Sequence, residues 1–392
     1  MKDRVPLYPG RVKLTPVSGQ ENTYDMVRAD EPTQEGTPLN KANLLSDETA
    51  ALYGLGEEGT VNDALFGASG KIDTVESRLA LSVFGYRVLK IKVTSKDGTP
   101  VEGIKINGIK TTLGTYAITG ADGIAIGQAI GDETTVTISY FDLERQEVYA
   151  TPNGEITTSE IVIADSDFKN FAKIETSKPV TFSPLLKRID VTVVGGGGAG
   201  GGYNDSTRGK PNGGGGGGYC KVQENVSFLP NKEYNAVIGA GGKSADSAIG
   251  APAPGGDGGT TSFLGVTAEG GKGGTESSGG AGNGKGGNPG GGNGVAGSVD
   301  GYKSFTETQK YGGGGGGGAK GGSSGTNIGG NPATADGGKG GNATSNTGYP
   351  GDNAKNGTGA GGGGGGATSY NAYSRGSGGD GGSGLVACRM YH

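Results

Sequence analysis

The residues best suited to chemistry in this 392-residue chain lie in a few loops where tyrosine stands beside asparagine, aspartate or arginine. GYNDSTRGKPNGG holds Tyr203, Asn204 and Arg208, and GSVDGYKSFTETQKYGG holds Tyr302, Phe305 and Tyr311. NATSNTGYPGDNAKNG holds Tyr349 and Asp352, and ATSYNAYSRGSGG holds Tyr370, Tyr373 and Arg375. A tyrosine presents a large, stiff ring with a polar tip, and short polar neighbours add adaptable hydrogen bonds. That combination suits carbohydrate or a flat polar epitope. Each tyrosine has a second reading, as a packing anchor at the end of a glycine run. For Tyr219, directly before a strand-like stretch, packing is the expectation.

Catalytic chemistry has little to work with. The one histidine is His392, so neither a Ser-His-Asp nor a Cys-His arrangement is expected. HExxH, CxxC and phosphate-loop patterns are absent from the sequence, and the glycine runs lack a GK[ST] ending. A glycosidase needs only two carboxylates, but the acids of the second half stand mostly isolated between glycines. GGDGG lacks the nine-residue period of calcium-binding repeats. No enzyme, metal or cofactor is expected. Cys220 and Cys388 sit in YCKV and ACRM and read as small buried residues rather than a disulfide framework.

The elements that would carry those loops are unusual. Of the chain's 89 glycines, 71 fall in the 198 residues from Gly195 onward, where Leu, Ile, Val and Phe together number 16. So little aliphatic surface cannot support an ordinary core. Two states fit: a flexible linker, or a bundle of rods in the three-residue-per-turn extended helix, whose amides point outward to bond a close neighbour. Only a residue without Cβ permits that approach. The glycine runs 195–198, 213–218, 312–318 and 361–366 are separated and the longer three are alike in length. KPNG, GNPG and GYPG mark reversals between them. GGDGG at 255–259 and 378–382, with GGKGG at 270–274 and 337–341, reads as single outward side chains on bare rods. These features favour a polyglycine-II bundle, fastened at its base by the alternating stretches YCKVQENVSFLP, EYNAVIGAGG, TSFLGVTAEGG and SGLVACRMYH.

The first half divides further. Residues 1–50 are rich in proline and read as an extended arm that becomes ordered on a partner. Thr37 or Ser46 could cap short helices. Over 51–86 a heptad places Leu65, Ile72 and Leu79 seven apart, with Val61, Ala68, Val75 and Ser82 at the other core position. This predicts either a short oligomeric stalk or one amphipathic helix docked on a neighbour. Residues 87–164 alternate with period two, as in VLKIKVTS and TTVTISYFD, with turn signals at Asn107-Gly108 and Asp122-Gly123. They predict a small β-sandwich, and 165–194 a β connector into the tip at 195–392. The fold expected is mostly β with short N-terminal helices.

Three resemblances follow. VTSKDGTPVEGIKI, GTYAITGADGIAI and TTVTISYFD resemble the carboxypeptidase-regulatory-like, prealbumin-type domains, which act as spacers or binding modules. RIDVTVVGGGGAGGGYNDSTRGKPNGGGGGGYCKVQENVSFLPNKEYNAVIGAGG, with GSGLVACRMYH, resembles the glycine-rich C-terminal domain of phage and prophage tail fibres. YPGRVKLTPVSGQENTYDMVRADEPTQEGTPLNKANLL resembles the virion-attachment arm of tail fibres from phages of Gram-positive gut bacteria. The resemblances imply a homotrimeric virion component, made in a host cytoplasm. Its N-terminus would dock on the baseplate or tail, and its tip loops would bind a host surface polysaccharide or protein. A structural tail connector or decoration protein is the alternative, and a depolymerase fibre a third reading. The formal net charge of −5 has no basic stripe to suit nucleic acid. No 18-residue apolar run marks a membrane span, and the N-terminus lacks the apolar stretch of a signal peptide.

Overall fold

The computed structural model describes residues 5–29, 31–34, 65, 87–202, 210–244, 253–276, 278–282, 286, 294–298, 311–321, 325–368 and 376–392. The chain divides into two units, Met1–Tyr86 and Arg87–His392.

In the first unit β1 (Val5–Pro6) pairs with β4 (Pro32–Gln34), and β2 (Val12–Pro16) forms an antiparallel hairpin with β3 (Tyr24–Arg28). Val12, Leu14, Tyr24 and Met26 alternate onto one side of the hairpin, and all four are exposed. Helices expected from Thr37, Ser46 and the heptad fall on residues outside the described ones, apart from an exposed Leu65.

The second unit begins with seven strands: β5 (Arg87–Ser95), β6 (Lys105–Thr111), β7 (Gly114–Ile118), β8 (Ile124–Gln128), β9 (Glu133–Ser139), β10 (Glu144–Ala150) and β11 (Glu155–Ile163). They form one sheet in the order β10-β9-β6-β8-β5-β11, with β7 added on β6. The expected two-layer sandwich is corrected to a single, nearly closed barrel-like sheet. The reason lies at Gly108. It stands inside β6 at φ +98°, where an added Cβ would overlap the Thr135 carbonyl. β6 therefore pairs with β9 through Ile106 and Asn107 and with β8 through Lys110, joining what would have been two layers. Asn107-Gly108 is thus a kink within a strand rather than a turn. Asp122-Gly123 does form the β7–β8 turn, where Asp122 Oδ1 accepts the Ile124 N–H at 2.9 Å. The interior is aliphatic: Leu89, Ile91, Val93, Ile104, Ile106 and Ile138 are fully buried.

A 3-10 turn at Asp165–Asp167 leads to β12 (Phe171–Ile174), β13 (Lys178–Thr181) and β14 (Arg188–Val194). The remaining strands are β15 (Cys220–Gln223), β16 (Glu233–Ala236), β17 (Thr261–Phe263), β18 (Val266–Ala268) and β19 (Leu385–Tyr391). A four-stranded sheet runs β12-β19-β14-β15, while β13 pairs with β16 and β17 with β18. Both faces of this sheet are covered. Ile189, Val191, Val193, Val386, Cys388 and Met390 enter a core with Phe182 and Phe263, whereas Val194, Leu385 and Ala387 pack on the other face with Tyr311.

From Arg87 onward the 3-10 turn is the one helical element among the described residues, so the expected C-terminal helix bundle is overturned in favour of β structure, whereas the expected N-terminal helices lie outside the described residues apart from Leu65. Glycine segments cannot register as helices because their bonds do not run within a segment. They run between segments. From Gly196 to Gly201, successive N–H groups donate to Gly259, Gly382, Gly216, Gly256, Gly379 and Gly213. Three neighbours are met in turn, and each is met again three residues later. The carbonyls of the same segment accept from Gly271 and Gly274, from Gly362 and Gly365, and from Gly242. Six segments thus surround it. Segment 361–367 behaves alike, donating to 313, 316 and 319, to 198 and 201, and to 352 and 349.

This lattice grows out of the four-stranded sheet. β14 runs directly into 195–202, 212–219 runs into β15, and 376–384 runs into β19. The neighbours β19-β14-β15 remain neighbours as glycine segments, through Gly197 to Gly382 and Gly198 to Gly216.

Candidate binding surface

Of the residues singled out by sequence, Tyr203, Asn204, Arg208, Tyr302, Phe305, Tyr370, Tyr373 and Arg375 lie outside the described residues. Tyr349 and Asp352 are described, and the structure brings them together. They stand three apart on one outer segment, with their N–H groups donating to Asn342 and Lys339 and their carbonyls accepting from Gly366 and Gly363. The three-residue repeat gives them equivalent positions, and both side chains are exposed. The next equivalent residue is Lys355, whose N–H donates to Asp336 and whose Nζ lies 3.7 Å from Asp336 Oδ1. Tyr349, Asp352 and Lys355 therefore make an exposed row of ring, anion and cation.

The same segment is locked to the lattice by side chains of a second set. Asn353 Oδ1 accepts the Asp380 N–H at 2.7 Å, and Asn356 Oδ1 accepts the Ser383 N–H at 3.2 Å. Sequence reasoning missed Asn353, Lys355 and Asn356. Their signal was the spacing of three in GDNAKNG.

The lone acids and lysines of the glycine repeats form clasps across segments. Asp257 accepts the Lys272 ammonium at 2.8 Å and the Gly273 N–H at 2.9 Å. Asp380 does the same with Lys243 at 2.9 Å and the Ser244 N–H at 2.7 Å. The Lys272 ammonium, opposed by weaker desolvation, holds Asp257 below the usual carboxylate range. At Asp380 burial pushes upward, but the Ser244 N–H and Lys243 together bring the net shift down.

Tyr311 and Tyr219 exchange their expected roles. Tyr311, grouped with a binding loop, is 1% exposed and packs among Val194, Leu385 and Ala387. Tyr219, expected to anchor, is 42% exposed, because it lies where the segment passes into the edge strand β15. Both cysteines are free. Burial pushes the Cys220 thiol up to about 12 and that of Cys388, at the centre of the sheet, higher still.

His392 does meet an aspartate and a serine. Its Nε2 lies 3.3 Å from Asp142 Oδ2, the carboxylate that also accepts the Ser183 Oγ–H, and its ring stacks on Phe168 at 4.2 Å. Hydroxyl and imidazole both point at the carboxylate rather than at each other. The arrangement ties the end of β19 to the barrel-like sheet and does not place a base on a nucleophile. Among the described residues no group of three or more His, Cys, Asp or Glu could hold a metal.

A lattice bonded through its backbone, seated on a sheet with β19 among its central strands, is the architecture to be compared. The model of a glycine-rich domain matches residues 175–391, more than half of the chain. The chain belongs to this glycine-rich domain family. The glycine-rich domain so bounded takes in β13 to β19 and every segment of the lattice. Its limits enclose the core residues from Val180 to Met390 and the Tyr349–Lys355 row, while Ile174 of the same core lies just before them. Comparison with curated proteins finds no match.

Proposed function

We propose that the chain is a receptor-binding tail fibre of a phage or phage-derived tail. It docks on the tail by residues 1–50 and binds the host surface through loops of its glycine-rich domain. The observation that carries this reading is the lattice itself. A body held by amide-to-carbonyl bonds with a three-residue repeat owes little to side chains. Loops leaving it are then free to vary in sequence without loss of the fold, which is what a surface adhesin requires. Tyr349, Asp352 and Lys355 sit on its exterior in a form suited to a polar saccharide or protein epitope. The exposed apolar side of the β2–β3 hairpin, with Leu14 56% and Met26 69% exposed, supports docking of the arm on a partner.

Immunogold labelling of particles from the strain that carries the gene tests the reading. Label at the distal end of the tail is expected, and exchange of residues 195–392 between relatives is expected to change adsorption range. Absence of the protein from purified particles overturns it. Its presence with no change in adsorption favours a structural connector instead.

A further inference from the structure

A cleft of about 430 Å³ opens where the Tyr349–Lys355 segment ends, lined entirely by residues of the glycine-rich domain. The loop between β12 and β13 gives it Glu175 and Thr176, and the glycine segment that follows β16 gives Gly241. Asn356, Gly357 and Ser383 complete the part of the lining that matters here. Gly357 stands at φ +73°, and a Cβ added there would come within 3.1 Å of Glu175 Cδ and 3.2 Å of its Oε1. The bare backbone at 357 therefore makes room for the Glu175 carboxylate.

The lining offers unused hydrogen-bonding groups of both kinds. The Glu175 carboxylate and the Thr176 hydroxyl have no partner among the described residues. The three-residue repeat turns the N–H groups of residues 238, 241 and 244 to the same side. Ser177 Oγ takes the Ile238 N–H at 2.9 Å and Asp380 Oδ1 takes the Ser244 N–H at 2.7 Å. The Gly241 N–H between them has no partner among the described residues. Asn356 Oδ1 accepts the Ser383 N–H, and its Nδ2 has no partner there. Ser383 Oγ accepts the Gly357 N–H at 2.9 Å, which leaves its own proton to donate. Lys243 adds no free charge, because its ammonium is held by Asp380 Oδ2 at 2.9 Å.

That set of groups selects the class of ligand. The unpaired Glu175 charge repels an anion. An ammonium only donates, so it would leave the Gly241, Asn356 and Ser383 donors idle. Among the described residues no large apolar side chain lines the cleft. A hydroxyl both donates and accepts, so adjacent ring hydroxyls can donate to Glu175 and accept from the neighbouring donors.

We propose that this cleft binds a neutral saccharide ring through two adjacent hydroxyls. Glu175 accepts from both, the Gly241 N–H and Asn356 Nδ2 donate to their oxygens, and the Thr176 hydroxyl meets a third. The site lies apart from the loops assigned above, and the inference rests on this lining rather than on the surface-binding reading.

The full chain is tested for retention on immobilised dextran, mannan and galactan, with chitosan and polygalacturonate as cationic and anionic arms. Retention on at least one neutral polymer is expected, and it is expected to persist in high salt because no ion pair is involved. Glu175→Gln is expected to weaken it about tenfold, as loss of hydrogen bonds to a charged acceptor would. Thr176→Val is expected to weaken it less. Glu233→Gln, on the exposed face of β16, is expected to leave it unchanged. Retention on none of the neutral polymers, equal loss in Glu233→Gln, or stronger retention on a charged polymer that salt abolishes overturns the site. Circular dichroism of Glu175→Gln, expected to match the native chain, separates a lost site from a lost fold. Adhesion to host cells is scored separately. Adhesion that survives Glu175→Gln, with no neutral polymer retained, removes the cleft and leaves the surface-binding reading standing.

Discussion

At the scale of single residues, the lattice makes some glycines indispensable for want of space rather than for backbone freedom. A methyl on Gly363 would overlap the Lys339 carbonyl, while the Gly363 N–H donates to Asp352 and its own carbonyl accepts from Gly379. Gly363→Ala is expected to destabilise by about 1–3 kcal/mol, the usual range for overpacking. At Gly131 the nearest atom to an added Cβ is the Glu133 carbonyl at 3.5 Å, so Gly131→Ala is expected to change stability by less than about 0.5 kcal/mol. Thermal melts of both variants check the contrast.

The Asp257 and Asp380 clasps give a pH signature. Both carboxyls titrate below the ordinary 3.8 in the folded protein, so in that interval the unfolded chain binds more protons than the folded one. Their contribution is present above pH 3.8 and is lost as the pH falls through the folded values. In Asp257→Asn with Asp380→Asn the acid limb of a stability–pH profile is expected to be shallower than in the native chain. It is not abolished, because Asp190 is also lowered: burial acts against it, and the Arg188 guanidinium and the Asn225 N–H prevail. An unchanged acid limb would show that the clasps carry no linkage.

At the scale of elements, the four-stranded sheet is the seat on which the lattice is built. Phe182 is fully buried against Phe228, Tyr234 and Phe263, with centroid distances of 5.3, 6.2 and 6.3 Å. Phe182→Ala is expected to cost about 3–5 kcal/mol, the range for truncating a buried aromatic, and denaturant unfolding measures it. Cys388 lies in β19 opposite Val191 of β14. With its thiol buried and raised in pKa, it is expected to resist alkylation at pH 8 until the sheet opens. Mass spectrometry of iodoacetamide-treated protein, with and without denaturant, reads this directly. Labelling of Cys388 in native buffer would contradict the burial.

At the scale of the whole molecule, stability is distributed unusually. A segment with six bonded neighbours opens only if several of them part. Amides 196–201 and 361–367 are therefore expected to exchange as slowly as those of β14 and β19, although they belong to no strand. Hydrogen–deuterium exchange read by mass spectrometry checks this, and complete exchange of those segments within seconds would refute it.

Much of this molecule is legible in one dimension. Alternation at Leu89, Ile91 and Val93 marks β5, and all three are buried in the barrel-like sheet, because a period of two leaves no other way to hide them. The separated glycine runs disclose where backbones come closest, since side chains are missing wherever two segments must touch. What sequence could not supply is partnership. Nothing local in β6 says that its two ends serve different neighbours across Gly108, and nothing in GGDGG says that Asp257 will meet Lys272 rather than water. Period and composition are properties of neighbours along the chain, so the sequence determined strand content and close backbone approach. Which segments touch, which tyrosine is buried, and which charges face one another depend on contacts between distant residues, and the tertiary structure alone decided them.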